Sequence, residues 1–316
     1  MNSFRMGKDV SVCIPTCDRP KHFTEALLSA LNQSLTPREI IIGDDSSDRR
    51  TEYVIEKYET HNTPIKYLRN APPLGQAKNV ERILNEAKGE FVVLLHDDDK
   101  LKPDALNILR SCFDKEGNIL AAFGKQQVIR PNGKVKPQTT QDINEGYYRT
   151  REYAGVSLSP LQSAILQQFP NDGYMVRTGA AKKVGYYHKD AGDACDFLFG
   201  VRLAQQSNGQ FFYTNSYTSQ YRQSRESIAR GEGGDAAYRA FKFVLEKFPN
   251  EIKKDPLIRR WVERKAPVAI MVATNQDHPL EALKWFWGSH HRRLILTIGG
   301  MNRLLSILMC ILRGEW

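Results

Sequence analysis

Short, continuously apolar runs alternate with longer segments of helical spacing over the first hundred residues. VSVCIPT (10–16) is apolar and β-branched and ends at a proline and a threonine, which predicts a buried strand. Phe23, Ala26, Leu27, Ala30 and Leu31 recur at i, i+3, i+4, i+7 and i+8, the stripe of an amphipathic helix. EIIIGDD (39–45) repeats the strand pattern and leads into a polar helix carrying Val54, Ile55 and Tyr58. IKYLRN (65–70) predicts a third strand, and Val80, Ile83, Leu84 and Ala87 a third helix with Gly89 as its C-cap. FVVLLH (91–96) predicts the fourth strand. Strands too apolar to alternate, separated by helices, predict a parallel sheet covered on both faces.

In such a sheet, ligands bind beyond the carboxyl ends of the strands. Three of the four strands end in polar, mostly acidic sequence: PTCDR, GDDSSD and HDDD. Those ends share one rim, so carboxylates that repel one another are gathered in one place. From Ile119 to about Arg230, short apolar runs broken by Gly, Pro and Asn predict a mixed region with some antiparallel strands. SRESIARGEGGD (224–235) reads as a Gly-rich loop, and Ala236–Trp316 is helical in pattern.

A chain of 316 residues with 41% hydrophobic and 26% charged residues is that of a globular protein with a substantial core. Its formal charge of +9 points to anionic partners. No basic run of the kind that follows a nucleic-acid backbone is present, so nucleic acid is not an expected partner. Five scattered cysteines predict a reducing compartment rather than a disulfide framework, and Cys13 and Cys17 lack the second pair that a zinc site needs. MNSFRMGKDV lacks the apolar core of a signal peptide, and the longest apolar stretch, Leu304–Leu312, is broken at Ser306 and too short to span a bilayer. A cytoplasmic location is the expectation.

Each acidic strand end has a plain and a functional reading. An isolated acidic triplet is ordinarily a solvated turn, but Asp97–Asp99 follow a buried strand that aims them at the rim. Hard divalent cations prefer carboxylate oxygens, and Asp98 is the expected ligand, with His96 a further candidate. Asp97 and Asp99 could bind ribose, an outer-shell water or local backbone. Asp44, Ser46 or Ser47 could cap the following helix, while Asp45 is placed to accept hydrogen bonds from a base or ribose. Thr16 and Asp18 could contact a nucleotide base, or cap the helix that starts near Pro20.

The ordered set VSVCIPTCDRP, EIIIGDDSSD and LGQAKNVERILNEAKGEFVVLLHDDDKLKPDAL, over residues 10 to about 106, resembles the family 2 glycosyltransferases. GYMVRTGAAKKVG and DACDFLFGVRLA extend the likeness more weakly. The resemblance implies an α/β GT-A fold: a Rossmann-like, mostly parallel central sheet flanked by helices, here with a C-terminal helical extension. It implies a catalytic domain over residues 1–230, with a nucleotide-sugar half at about 8–118 and an acceptor half at about 119–230. The remainder, 231–316, would be a helical region that contacts a membrane or a second copy of the chain.

The nucleotide-sugar residues that follow from the resemblance are Pro15, Thr16, Asp18, Arg19, Asp45, Lys78, Asn79, Asp97, Arg222 and Arg225. Thr16 and Asp18 would lie around the base, Asp45 on a uracil or thymine edge, and Lys78 and Asn79 near ribose or diphosphate. Asp98 would hold Mg²⁺ or Mn²⁺, with His96 standing where many members have the first acid of an Asp-x-Asp motif. Counting back from Arg202-Leu203-Ala204, the general base is Asp196, with Asp193 as runner-up and helix capping as the plain alternative for Asp196. Arg222 and Arg225 are the candidate diphosphate contacts, Ser224 replacing a histidine common there. The loop 224–235 would close over the donor.

The implied reaction is inverting, metal-dependent transfer from a UDP- or dTDP-sugar to a hydroxyl of a glycan or lipid-linked acceptor in bacterial surface polysaccharide synthesis. A nucleotidyltransferase is the main enzymatic rival, but its Gly-rich phosphate loop is absent after the first strand. A non-catalytic nucleotide- or carbohydrate-binding protein is the other. In the tail, Trp285, Trp287, a His/Arg cluster and apolar runs predict either a docked or self-associating helix, or one lying on the inner face of the cytoplasmic membrane.

Overall fold

The computed structural model describes residues 9–58, 61–115, 117–189, 191–206, 208–223, 235–276, 278–288, 290–291 and 294–313. Its chain forms two compact units, Met1–His188 with Phe199–Ser224, and Lys189–Leu198 with Arg225–Trp316. The first unit is built on one eight-stranded mixed sheet. Its strands are β1 (Val10–Thr16), β2 (Glu39–Asp44), β3 (Ile65–Arg69), β4 (Phe91–Leu94), β5 (Lys100–Leu101), β6 (Ile119–Ile129), β7 (Met175–Arg177) and β8 (Gln210–Arg222). They lie side by side in the order β3-β2-β1-β4-β7-β6-β8-β5.

The β1–β4 half is parallel, and β7 runs antiparallel to both β4 and β6. The apolar strands carry no polar alternation because helices cover both faces. Val10, Val12, Ile14, Ile40, Ile42, Phe91 and Val93 pack on Phe23, Ala26 and Leu27 of α1 (Pro20–Leu31) and on Leu106 and Leu109 of α4 (Ala105–Cys112). The intervening Cys13 turns to the other face, where its thiol donates to the Ile83 carbonyl of α3 (Gln76–Glu86). Between these helices, α2 (Arg50–Glu56) links β2 to β3.

The later helices are α5 (Pro137–Gly146), α6 (Pro160–Ile165) and α7 (Thr178–Val184) of this unit, and α8 (Cys195–Gln206), which belongs to the second unit as far as Leu198 and to the first from Phe199. α5 lies along the free edge of β6, where Asn144 Oδ1 and Thr140 Oγ1 accept from the amides of Gln126 and Val128. Side chains thus satisfy backbone groups that no strand reaches. A mixed region with antiparallel strands is what the middle of the sequence predicts, and β7 supplies the antiparallel pairings while β6 and β8 run parallel.

Gly89 is not the C-cap of α3, which ends at Glu86 with Ala87 already extended. A side chain at Gly89 would meet the Asp9 carbonyl at 2.6 Å and the Ser11 amide at 2.7 Å. The glycine is therefore required by close backbone packing against the start of β1, and its own amide donates to Ser11 Oγ at 2.9 Å.

The second unit holds α9 (Asp235–Lys247), α10 (Pro249–Lys254), α11 (Pro256–Asn275), α12 (Pro279–Phe286) and α13 (Ile298–Arg313). Tyr238, Ile270, Ala273, Ala282, Phe286 and Ile307 form its core. Asp255 caps α11, its Oδ1 accepting from the amides of Leu257 and Ile258 at 2.8 and 3.2 Å. No helix among the described residues is long and apolar enough to cross a membrane.

Gly43 of β2 is the tightest position under the acidic rim: an added Cβ would lie 2.1 Å from Asn79 Oδ1 and 2.6 Å from the Ile83 methyl. Gly43→Ala is expected to destabilise the fold by about 2 kcal/mol through overpacking, read as a lower denaturant midpoint at unchanged slope.

Candidate active site at the strand ends

The ends of β1, β2 and β4 are stitched together by the polar residues that follow them. The Asp45 amide donates to the Thr16 carbonyl at 2.9 Å. Asp18 adopts φ +53°, a left-handed conformation that aspartate tolerates better than most residues. Its amide donates to Ser46 Oγ at 2.8 Å, and its Oδ1 accepts from both the amide and the hydroxyl of Ser47, at 3.0 and 2.9 Å. Neither Thr16 nor Asp18 caps α1, whose N-cap is Arg19 without a side-chain bond. Asp44 does not cap α2 either: it accepts from the Ser46 amide at 2.9 Å and from the Tyr67 hydroxyl at 2.8 Å. These side chains fix loop to loop.

Asp45 is buried, and its Oδ1 accepts from Asn70 Nδ2 at 2.7 Å and from the Leu74 amide at 3.0 Å. Asn79, predicted to touch ribose or diphosphate, is buried beneath this arrangement. Its Nδ2 donates to the Gly43 carbonyl at 2.8 Å and its Oδ1 accepts from Asn70 at 3.0 Å. It orients Asn70, and through Asn70 the Asp45 carboxylate, instead of facing a ligand. Asn70 was missed in the sequence, although it is the polar residue at the end of β3 and so carries the same signal as the other strand ends. Pro15 is buried within β1, opposite Gly43. Lys78 is exposed in the first turn of α3, with Nζ 5.1 Å from the Tyr187 ring centre.

Asp97 and Asp98 diverge. Asp97 is 6% exposed and accepts from the Thr16 hydroxyl at 2.8 Å and the Cys17 amide at 3.4 Å. Burial, reinforced by the charge of Asp98, pushes its carboxyl up to about 6, against the pull of Arg19 and the Thr16 hydroxyl. Asp98 is more open and pairs with Arg19 Nη1 at 3.2 Å, an atom that also lies 3.5 Å from Asp97. An open carboxylate beside a buried one, with a single guanidinium between them, suits a hard cation and the diphosphate it would accompany.

Behind them, His96, Asp99 and Asp172 bring three potential ligand atoms within 4.8 Å of one another. Asp99 and Asp172 are buried beside each other, and burial raises both carboxyls, that of Asp99 well above its ordinary value. Asp172 also accepts from the His96 amide at 3.1 Å and from Gln126 Nε2 at 3.3 Å. Gln126 in turn accepts at 2.7 Å from the buried Arg149. Asp172, in the sequence PNDGYM, gave no signal, because only the fold brings it beside the acidic triplet.

Arg222 has a different task from the phosphate contact expected of it. The side chain is 1% exposed. Its Nε donates to the Asp98 carbonyl at 2.8 Å, Nη1 to the Pro131 carbonyl at 2.7 Å, and Nη2 to Glu25 at 2.7 Å. Its backbone amide donates to Asp99 Oδ1 at 2.6 Å. Every guanidinium nitrogen is engaged, Nε with the acidic loop, Nη1 with the loop after β6 and Nη2 with α1, which leaves none for a phosphate. Arg225 and the loop 224–234 lie outside the described residues. Asp193 and Asp196 belong to the second unit, Asp193 exposed and Asp196 half-buried. Asp196 sits inside the first turn of α8 rather than at its N-cap.

Two outcomes follow from this geometry. The folded pKa of Asp97 lies above its ordinary value of 3.8, so the folded state holds this proton more tightly than the unfolded chain does. Its stabilising contribution is therefore full below about pH 4 and lost as pH rises through about 6. Asp97→Asn should stabilise the ligand-free protein at about pH 7.5 by of order 2–3 kcal/mol, with the gain vanishing near pH 4, read by urea unfolding at both pH values. Arg222→Met should cost about 3 kcal/mol of stability by leaving Glu25 and two carbonyls without their donor, whereas loss of a phosphate contact would raise KM at unchanged stability.

The sequence profile described as Glycosyl transferase family 2 matches residues 11–168. The chain is 34% identical over 172 residues to the GalNAc(5)-diNAcBac-PP-undecaprenol β-1,3-glucosyltransferase of Campylobacter jejuni, an overlap of 50% of this chain and 53% of that one. It is 30% identical over 133 residues to the poly(ribitol-phosphate) β-N-acetylglucosaminyltransferase TarS of Staphylococcus aureus, covering 41% of this chain and 22% of TarS. The chain thus spans about half or less of the length of these curated relatives. A structure of S. aureus TarS 1–349 with UDP superimposes with a TM-score of 0.63 at 18% identity, covering 98% of this chain and 92% of that one. A Pyrobaculum calidifontis mannosyltransferase with GDP-Man and Mn²⁺ gives 0.59 at 13% identity, covering 98% and 87%. These likenesses identify the fold as GT-A. With half its length matched by the family profile and its acidic strand ends on one rim, the chain belongs to glycosyl transferase family 2.

Proposed function

We propose that this protein transfers a sugar from a nucleoside-diphosphate sugar, a UDP- or dTDP-sugar, to a hydroxyl of a glycan or lipid-linked acceptor, with inversion at the anomeric carbon. The carrying observation is the convergence of Asp18 and Asp45 from the ends of β1 and β2 with Asp97 and Asp98 from the end of β4. Asp45, oriented by Asn70, is suited to accept from the N–H edge of a pyrimidine base. Relatives and structural neighbours support the substrate classes: one is named for an undecaprenol-linked acceptor, and TarS is described with UDP.

Asp98 is the carboxylate for Mg²⁺ or Mn²⁺: it is half-buried, and its oxygens match the hard-ligand preference of these ions. When bound, such an ion supplies charge neutralisation at the diphosphate. Arg19 is placed to share that task. In the reaction, the acceptor oxygen forms its bond to the anomeric carbon as the bond from that carbon to the diphosphate breaks. The diphosphate leaves with the electron pair, and the acceptor proton passes to the base, which we assign to Asp196 with Asp193 as alternative. The remaining part of the proposal is the division of labour along the chain: residues 1–230 as the catalytic domain and 231–316 as a helical accessory region, with surface polysaccharide as the product.

A panel of nucleotide-sugars with Mn²⁺ should raise the melting temperature only for the true donor, by the equivalent of roughly 2.7 kcal/mol at a hundredfold excess over Kd. Asp98→Ala and addition of EDTA should each abolish that shift and sugar transfer. Asp196→Asn should keep the donor shift while lowering kcat by roughly 10²–10⁴. Near-normal transfer by Asp196→Asn would sink the base assignment, and a donor shift without any turnover by the parent would favour a binding protein.

A further inference from the structure

α13 is apolar on both of its sides. Its inner side packs Ile307, with Leu304 and Ile311, onto the core of the second unit. Its outer side carries Ile298, Met301, Leu305, Leu308, Met309 and Leu312, all of them exposed, from 42% at Leu308 to 85% at Leu312. These six fall at i, i+3, i+7, i+10, i+11 and i+14, an arc of about 100° around the helix. Leu296, 90% exposed just before the helix, continues the apolar surface along the chain, and Trp287 is also exposed. A protein facing only water rarely presents so many large apolar side chains in one stripe.

Charge selects the occupant. Between Glu281 and Glu315 the sequence contains no aspartate or glutamate and five basic residues, Lys284, Arg292, Arg293, Arg303 and Arg313. The net positive charge of this stretch of sequence opposes pairing with a second copy of itself and favours an anionic surface. With 16 residues the helix is about 24 Å long, short of the roughly 30 Å hydrocarbon core of a bilayer. It can lie on a bilayer but not cross one. An apolar stripe backed by basic, acid-free sequence is the chemistry of an interfacial helix.

We infer that the outer stripe of α13 docks this protein onto an anionic lipid bilayer, with the helix lying in the interface plane and its apolar side chains among the acyl chains. The docking goes beyond the sugar-transfer proposal and needs neither donor nor acceptor; a lipid-linked acceptor would give it a use. The experiment compares the full chain with Leu305→Ser/Leu308→Ser/Leu312→Ser in flotation with two kinds of vesicle, phosphatidylcholine alone or mixed in equal parts with phosphatidylglycerol. The parent should bind the mixed vesicles at least about tenfold more tightly than the neutral ones, and the triple variant should lose at least about tenfold of that binding. Because the three positions are exposed, the variant should keep its melting temperature and its donor-induced shift, which separates lost docking from lost folding or lost sugar transfer. Equal vesicle binding by parent and variant, or no binding by the parent, would overturn the inference. So would sedimentation showing a self-associated parent and a monomeric variant with vesicle binding unchanged, which would assign the stripe to a second copy.

Discussion

Arg222 anchors the acidic rim to the rest of the first unit. Its backbone amide meets the Asp99 carboxyl, and its guanidinium meets the Asp98 carbonyl, the Pro131 carbonyl and Glu25. Three successive aspartates would otherwise drive the loop after β4 apart, because their charges repel in a region partly removed from water. The guanidinium reduces this repulsion without neutralising each carboxylate. It grips the loop through a backbone carbonyl and leaves the Asp98 side chain to pair with Arg19.

The other carboxyls of the rim are quieted in different ways. Asp18 and Asp44 are held by hydroxyl and amide donors of neighbouring loops, Asp45 by Asn70 and the Leu74 amide. Asp99 and Asp172 are buried together, which raises both carboxyls. Asp97 keeps an unfavourable burial that shows as a raised carboxyl pKa. Fixed dipoles of this kind suit the proposed binding of cationic and polar ligand groups. The burial of Asp97 is carried at a cost to the stability of the folded protein.

The helical unit is built on a different principle. Its core is small, and α13 is shared between that core and the surrounding medium, apolar toward each. A helix of this kind is suited to a boundary between water and a second phase, and its basic, acid-free sequence indicates the sign of that phase. The proposed sugar transfer and the inferred lipid docking are thus assigned to separate stretches of the chain.

Much of the first unit was legible in the order of residues. Continuous apolar strands with interleaved helical stripes can only be buried as a sheet covered on both faces, and the polar residues closing each strand must then share its rim. Asp18, Asp45, Asp97 and Asp98 follow from that reasoning alone, because strand direction fixes where each one emerges. What it could not decide is which polar side chain faces a ligand and which is consumed in holding another. Asn79 and Arg222 have the chemistry of ligand contacts, yet tertiary packing buries both, and a fully hydrogen-bonded buried group has nothing left to offer. Asn70 and Asp172 show the converse: their parts are set by partners 25 and 76 residues away, Asp45 and His96, and no local pattern encodes a contact of that range. Spacing along the sequence determined the elements and their ends. Only the three-dimensional network of hydrogen bonds decided which ends stand open at the candidate site and which ones hold it up.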